Sequence, residues 1–190
     1  LRQEEGPVVD VWRSAPALVE HLPAVRADRT RAWVTIQYGC DKFCTYCIVP
    51  YVRGRERSRR PEDVVREVEE LVAAGYREIT LLGQTVSSYG QDFRDRAYTF
   101  ADLLRDLNRV EGLRWLRFMS PYPGDFDPRL IETLARCEKV CDHVHLPVQA
   151  GSDRVLHRMN RRYTRAQYRE VVRRLREALP DVSITTDIIV

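Results

Sequence analysis

Five short apolar runs, Ala32–Gln37, Glu78–Gly83, Leu113–Met119, Asp142–Leu146 and Val182–Val190, begin roughly 30–45 residues apart, and each gap holds a segment of helical period. Strands separated by a helix cannot close as tight hairpins. They are joined by crossovers, so the chain reads as an α/β protein of about five βα units around a parallel sheet. The crossovers are expected to be right-handed. An open sheet and a curved partial barrel both satisfy this pattern. In either one, the loops leaving the carboxyl ends of the strands carry the chemistry.

The helices between the strands are well punctuated. Pro61 stands at a first turn, Val64, Val65, Val68, Leu71 and Val72 recur at three and four, and Gly75 is the stop. Thr99 with Asp102 resembles a capping box and opens Phe100–Val110. Asp127 and Pro128 open a third helix through Cys137. Thr164 with Gln167 caps a fourth, whose apolar face carries Tyr168, Val171, Val172, Leu175 and Leu179.

Residues 1–31 lack this order. Gly6, Pro7, Pro16 and Pro23 break them up, so they read as a linker or extension with one short strand at Val8–Trp12, ahead of a single domain over 32–190. The chain opens on Leu1 and ends inside an apolar run, and is expected to be part of a longer protein. Apolar residues make up 44% and charged residues 31%, enough for a core and too many apolar residues for wholesale disorder. No apolar run nears the roughly 20 residues that span a bilayer, and Leu1–Asp10 does not resemble a signal peptide. A cytoplasmic protein without a membrane partner is expected. Five cysteines, an odd number without a secretory signal, favour metal or redox chemistry over a disulfide framework.

Three of those cysteines follow the first strand in the loop Gly39–Cys47, at the spacing C-x3-C-x2-C. Three thiolates within eight residues can face one metal centre. Structural zinc sites and ordinary iron–sulfur clusters take four protein ligands. With a fourth cysteine missing locally, a [4Fe–4S] cluster on Cys40, Cys44 and Cys47 would keep one iron open, as catalytic centres do. The alternatives are three buried reduced thiols, or a zinc knuckle completed by His143, His145 or Cys141. His143 and His145 alternate with Val144 and Leu146, so both project to one face, where a buried, hydrogen-bonded core role is expected. Cys137 and Cys141 read as small buried thiols.

The loop, with Tyr46 ahead of its third cysteine, resembles the signature of radical S-adenosylmethionine enzymes, and the resemblance implies a cofactor contact for Tyr46. The longer stretch Gly39–Gly54 with Glu56–Arg59 resembles the methylthiotransferase family, above all its tRNA branch, and the likeness runs over roughly Trp33–Val190. The resemblance implies a partial parallel (β/α) barrel lacking its last strand or strands. It implies a [4Fe–4S] cluster on Cys40, Cys44 and Cys47 whose open iron takes the amino and carboxylate groups of S-adenosylmethionine. Reduction then cleaves the sulfonium to a 5′-deoxyadenosyl radical, and the protein contributes binding, orientation and exclusion of competing reactions.

Further contacts follow from the same resemblance. Gly83, in Leu81–Gln84, falls where the family has a glycine motif near the methionine amino group, although a plain turn glycine reads equally well. Gln149 offers donor and acceptor to two ribose hydroxyls, Arg161 resembles the arginine that grips the cofactor carboxylate, and Asp187 suits a second ribose contact. Read blandly, these three are a loop amide, a surface arginine and a capping aspartate. Ser120–Pro123 forms a rigid turn at the pocket floor with no assigned role.

Twenty-nine of the 31 basic residues are arginine, with Lys42 and Lys139 the exceptions. Arg53, Arg55, Arg57, Arg59 and Arg60 follow the cluster loop, and Arg154, Arg158, Arg161, Arg162 and Arg165 follow the fourth strand. Both sets are expected to frame the site's mouth and hold a nucleic-acid backbone while one base enters; the bland readings are genomic composition for the arginine bias and solvated helix surface, partly paired with Glu56 and Asp153, for the two sets. The resemblance implies transfer of a methylthio group to C2 of N6-isopentenyl adenosine in the tRNA anticodon stem-loop, with an electron donor as second partner. Leu81–Gln84 and His145–Ser152 favour this branch, with Ala150 a departure where Ser is expected. Relatives acting on threonylcarbamoyl adenosine or on a ribosomal-protein aspartate compete. So do a non-catalytic iron–sulfur electron-transfer or metal-binding module and an RNA-binding module that has lost its chemistry. The family also carries an amino-terminal cluster domain and a carboxyl-terminal RNA-binding barrel outside these residues, so the 190 residues alone are not expected to complete the reaction.

Overall fold

The structure, a computed structural model, describes residue 26 and residues 28–190. The strand expected at Val8–Trp12 lies outside them. Five parallel strands form the frame: β1 (Arg31–Thr35), β4 (Glu78–Leu82), β5 (Trp115–Phe118), β6 (His143–His145) and β7 (Ser183–Thr185). A short antiparallel hairpin, β2 (Gln37–Tyr38) with β3 (Arg57–Ser58), brackets the cysteine loop. The helices are α1 (Val49–Arg53), α2 (Pro61–Ala73), α3 (Phe100–Asn108), α4 (Pro128–Arg136), α5 (Asp153–Arg158) and α6 (Arg165–Ala178).

Strand order resolves the choice that the pattern leaves open. β1 pairs with β4 and β4 with β5, the bridge Leu116↔Val140 joins β5 to the run into β6, and β6 pairs with β7, every step parallel. Space follows chain order without reversal. A doubly wound sheet reverses and covers both faces, whereas this order with right-handed crossovers puts every crossover helix on one side. α2, α3, α4 and α6 pack in succession there. This is the arrangement of a partial (β/α) barrel.

Period two on the strands meets period 3.6 on the helices along that outer face. Val34, Ile79, Leu81, Leu116, Val144 and Leu146 turn outward and pack with helical residues such as Val68, Leu104, Ile131 and Leu175 in one core. The opposite face is polar and more open: Trp33 stands 69% exposed, and Arg117 pairs with Glu78 at 3.0 Å. His143 and His145 lie on this face, half-buried, which corrects their expected place in the core. Val144 and Leu146 take the helix side, so the histidines turn the other way. Their hydrogen bonds are present, His143 Nε2 and His145 Nδ1 reaching Thr185 Oγ1 at 3.2 and 2.9 Å.

The stops work as their chemistry dictates. Gly75 adopts φ +103° after α2, and the Gly75 and Tyr76 amides donate to the Val72 and Leu71 carbonyls, a Schellman closure. Both capping boxes form, and the Asp127 carboxylate accepts the Leu130 amide at 2.7 Å. The last strand is shorter than its apolar run. Thr186 interrupts the ladder by taking the Val148 amide on its hydroxyl at 2.9 Å, and pairing resumes at the bridge Gln149↔Ile188.

Replacing Leu81, fully buried between sheet and helices, with Ala is expected to cost about 2–5 kcal/mol. Thr164→Ala, which removes the α6 cap, is expected to cost about 1 kcal/mol. Urea midpoints at unchanged slope measure both, and equal losses would contradict this division of labour.

Candidate functional site

The cysteine loop is pinched shut at its neck. Gly39 adopts φ +74°, and a Cβ there would stand 2.1 Å from the Arg55 carbonyl oxygen. The two limbs therefore touch, with the Cys40 amide donating to the Gly54 carbonyl at 3.2 Å. Asp41 and Glu56 lock the neck reciprocally, each backbone amide donating to the other's carboxylate at 3.2 Å. Burial raises the pKa of the Glu56 carboxyl despite that bond.

Within the loop, Cys40 is buried against Thr85, Sγ to Oγ1 3.2 Å, and burial raises its thiol pKa. Cys44 and Cys47 are half-exposed thiols one turn apart, the Cys47 amide donating to the Cys44 carbonyl at 3.0 Å. The end of α5 clasps the loop from outside. Asn160 Nδ2 donates to the Phe43 carbonyl at 2.8 Å, holding Phe43 in the left-handed region at φ +50°. The Thr45 amide donates to the Met159 carbonyl at 3.1 Å.

Among the described residues, no three Cys, His, Asp or Glu side chains converge on a single-ion site. Cys141 precedes β6 and so belongs to the opposite end of the parallel strands from the loop after β1. His143 and His145 are engaged with Thr185. Neither cysteine nor histidine is placed to complete a zinc knuckle. Cys137 is buried in the core and Cys141 is half-buried, both free thiols whose pKa values burial raises.

A polar and aromatic network joins this loop to the loops after β4 and β5. Lys42 Nζ pairs with Asp125 Oδ1 at 2.8 Å, both side chains nearly buried, and Ser87 Oγ donates to Asp125 Oδ2 at 3.0 Å. Ser87 Oγ also accepts the Tyr122 amide at 2.8 Å. The Tyr122 ring carries two cations, Lys42 Nζ 4.6 Å and Arg161 Cζ 4.5 Å from its centroid. Arg161 Nη1 donates to Cys44 Sγ at 3.2 Å and its Nε to the Tyr163 hydroxyl at 3.1 Å. The Ser120–Pro123 turn, which the sequence marks without a role, presents the Tyr122 ring. Its signal was there, because prolines on both sides of Tyr122 fix the turn. Asp125, Thr85 and Tyr163 carried no comparable signal.

The expected cofactor contacts fall into two groups. Arg161 and Tyr46 come to the cysteine loop; Tyr46 is half-exposed, and its pKa is pushed up to about 12, chiefly by burial. Gln149 and Asp187 come together where β6 and β7 end. Gln149 sits at φ +69° and its amide donates to the Asp187 carbonyl at 3.0 Å. The Asp187 carboxylate, 69% exposed, lies 3.2 Å from His145 Nε2. Gly83 follows β4 against Gln37 and Val86, and beside it Gln84 Oε1 is buried without a partner among the described residues, as is Gln37 Oε1.

The arginine sets divide. Arg53, Arg55, Arg60, Arg154, Arg158, Arg162 and Arg165 are exposed, Arg55 with its Nε 2.9 Å from Asp41 Oδ1. Arg59 is turned inward onto the Thr35 carbonyl and Glu67, and Arg60 pairs with Asp95 at 2.8 Å. The first set thus puts less charge at the mouth than expected, because part of it ties the hairpin to its neighbours.

The radical SAM superfamily model matches residues 34–190. The tRNA-2-methylthio-N(6)-dimethylallyladenosine synthase of Desulforamulus reducens is 54% identical over 190 residues, 100% of this chain and 41% of the relative. The Bacillus subtilis protein of the same name is 55% identical over 183 residues, 96% of this chain and 36% of the relative. The chain therefore spans about two fifths of the length of these relatives. The cobalamin-dependent S-adenosylmethionine radical enzyme OxsB, solved with aqua-cobalamin and S-adenosylmethionine, aligns at TM-score 0.66 and 16% identity, over 85% of this chain and 24% of that one. The radical S-adenosylmethionine methyltransferase TsrM of Kitasatospora setae, solved with cobalamin and a [4Fe-4S] cluster, aligns at 0.65 and 20%, over 82% and 30%. The structural matches agree with the strand order, the family match covers the cysteine loop and every strand beyond β1, and the chain belongs to the radical SAM superfamily.

Proposed function

We propose that residues 32–190 are the radical core, and 1–31 the leading extension, of a tRNA methylthiotransferase that acts at C2 of N6-dimethylallyl (isopentenyl) adenosine beside the anticodon. The observation that carries this reading is the pinched loop with Cys40, Cys44 and Cys47, clasped by α5 and touched by Arg161. The name shared by relatives more than half identical over nearly the whole chain supports the substrate.

The donor set fits a [4Fe–4S] cluster and S-adenosylmethionine. Three thiols share one loop and do not converge on a single-ion site, as suits ligands that each hold a different iron. Gln84 Oε1, a buried acceptor without a partner among the described residues, suits an amino group beside Gly83. When bound, the cluster and S-adenosylmethionine supply one-electron cleavage chemistry, and with it a carbon radical able to take hydrogen from an unreactive carbon. The protein's residues bind and orient. The thiols of Cys40, Cys44 and Cys47 would give up their protons to hold iron, and the Arg161 guanidinium keeps its hydrogen bond to Cys44 Sγ beside them. Arg161 also offers donors to the cofactor carboxylate, Gln149 and Asp187 face the ribose, and Tyr46 borders the loop. Exposed Arg53, Arg154, Arg158 and Arg162 supply phosphate contacts for the tRNA anticodon stem-loop. A cytoplasmic setting, an electron donor and further cluster-bearing and RNA-binding domains complete the reading. Among the described residues no helix is long and apolar enough to cross a membrane.

Anaerobic reconstitution with iron and sulfide should give a [4Fe–4S] EPR signal on reduction that shifts when S-adenosylmethionine is added. Cys44→Ala should abolish it. Zinc uptake without a cluster, or a cluster indifferent to the cofactor, would defeat the proposal.

Gly39→Ala should lower iron and sulfide content severalfold, since its Cβ has nowhere to go. Undiminished content would mean that the neck does not shape the ligand set.

In the full-length protein, Arg158→Gln with Arg162→Gln should reduce the slope of log affinity for tRNA against log salt by about 1–2. An unchanged slope would remove these residues from the RNA interface.

A further inference from the structure

Arg161 is held in an unusual way for a half-buried arginine. Its guanidinium lies 4.5 Å from the centroid of Tyr122 and 5.1 Å from that of Tyr163. Nε donates to the Tyr163 hydroxyl at 3.1 Å and Nη1 to Cys44 Sγ at 3.2 Å, while Nη2 has no partner among the described residues. The two rings are buried and meet edge to face at 5.5 Å. Each is locked in turn. The Tyr122 hydroxyl accepts the Arg162 amide at 2.8 Å, and a Cβ on Gly124 would stand 2.8 Å from the same ring. The Tyr163 hydroxyl, having accepted from Arg161, donates to the Val148 carbonyl at 2.9 Å.

That last bond joins two places the family reading keeps separate. Val148 precedes Gln149, whose φ of +69° lets its amide reach the Asp187 carbonyl. One phenolic hydroxyl therefore couples the arginine at the cysteine loop to the end of β6, where the ribose contacts of the proposed function lie. An arginine tethered at Nε and stacked on one plane has lost most of its rotamer freedom before any ligand arrives, so a carboxylate meeting Nη2 is gripped at less entropic cost.

We propose that Tyr163, backed by Tyr122, is a positioning residue that aims Arg161 at the carboxylate of S-adenosylmethionine and fixes its distance from the ribose-facing strand ends. The role rests on the reading of Arg161 as the carboxylate contact. Tyr163 itself touches no reacting atom.

The test compares two ligands that differ only at that carboxylate. In the full-length protein with its cluster reconstituted, dissociation constants for S-adenosylmethionine and for decarboxylated S-adenosylmethionine are measured per cluster by equilibrium dialysis. Tyr163→Phe keeps the ring and its packing. It should weaken S-adenosylmethionine binding about tenfold, the size of one lost hydrogen bond to a charged group, and leave the decarboxylated analogue unchanged. Equal weakening of both ligands would make Tyr163 a structural residue and overturn the proposal, as would undiminished affinity for S-adenosylmethionine. Arg161→Gln separates the two levels. If that variant keeps the wild-type preference for the carboxylated ligand, the assignment of Arg161 itself fails and the role of Tyr163 falls with it.

Discussion

The missing Cβ of Gly39 is the constraint on which the site depends. The carbonyl of Arg55 occupies the space a side chain would need, so the limbs of the loop between β2 and β3 meet at a neck instead of splaying. Closing a loop costs entropy that grows only slowly with its length, and the hairpin, the Cys40–Gly54 bond and the Asp41–Glu56 exchange offset that cost at one point. With its neck fixed, the loop needs few further contacts to hold three thiols in order. Those contacts come from α5 and Arg161, whose residues lie more than a hundred positions away in the chain.

The second tie is electrostatic. Lys42 and Asp125 are both nearly buried, and removing one partner of such a pair leaves a stranded charge at a cost of about 3–5 kcal/mol. Ser87 adds a hydrogen bond to the carboxylate and the Tyr122 ring adds its face to the ammonium, which offsets the desolvation that makes buried pairs weak. The pair also spans the loops after β1 and β5, and Ser87 brings in the loop after β4. Three strand ends are thereby held in register at the end of the barrel where the thiols sit. The packed outer face sets where the strands lie, while this network sets where their loops point.

How much of this was legible follows from range. The five strands and four long helices declare themselves because period two and period 3.6 need only local neighbours, and Thr99, Asp127, Thr164 and Gly75 act within four or five residues of themselves. α1 and α5 are too short to show a period, and β2 and β3 are two residues each. The site divides the same way. C-x3-C-x2-C is a local statement, so Cys40, Cys44 and Cys47 could be read directly. Asp125 and Tyr163 acquire meaning only from partners brought up by tertiary folding, while Pro121 and Pro123 mark the turn at Tyr122 locally. His143 and His145 show the limit of alternation, which tells that two side chains share a face but not which face it is.

The cluster of arginines at 53–60 shows why residue type alone misleads at a sheet edge. Among the described residues, β1 pairs with β4 on one side only and turns carbonyls outward on the other, the kind of edge that invites another strand. Arg59 meets this by donating from its backbone to the Ile36 carbonyl at 2.9 Å and from Nη1 to the Thr35 carbonyl at 2.7 Å. Arg26 takes the Trp33 carbonyl at 2.7 Å. Glu67 on α2 holds both guanidinium groups, at 2.9 and 2.7 Å, so the two cations that the edge draws inward share one carboxylate. Arginine suits this work because its fork serves a carbonyl and a carboxylate at once. The same fork that would suit a phosphate at exposed Arg53 caps the backbone at Arg59 six residues later, and burial decides between the two.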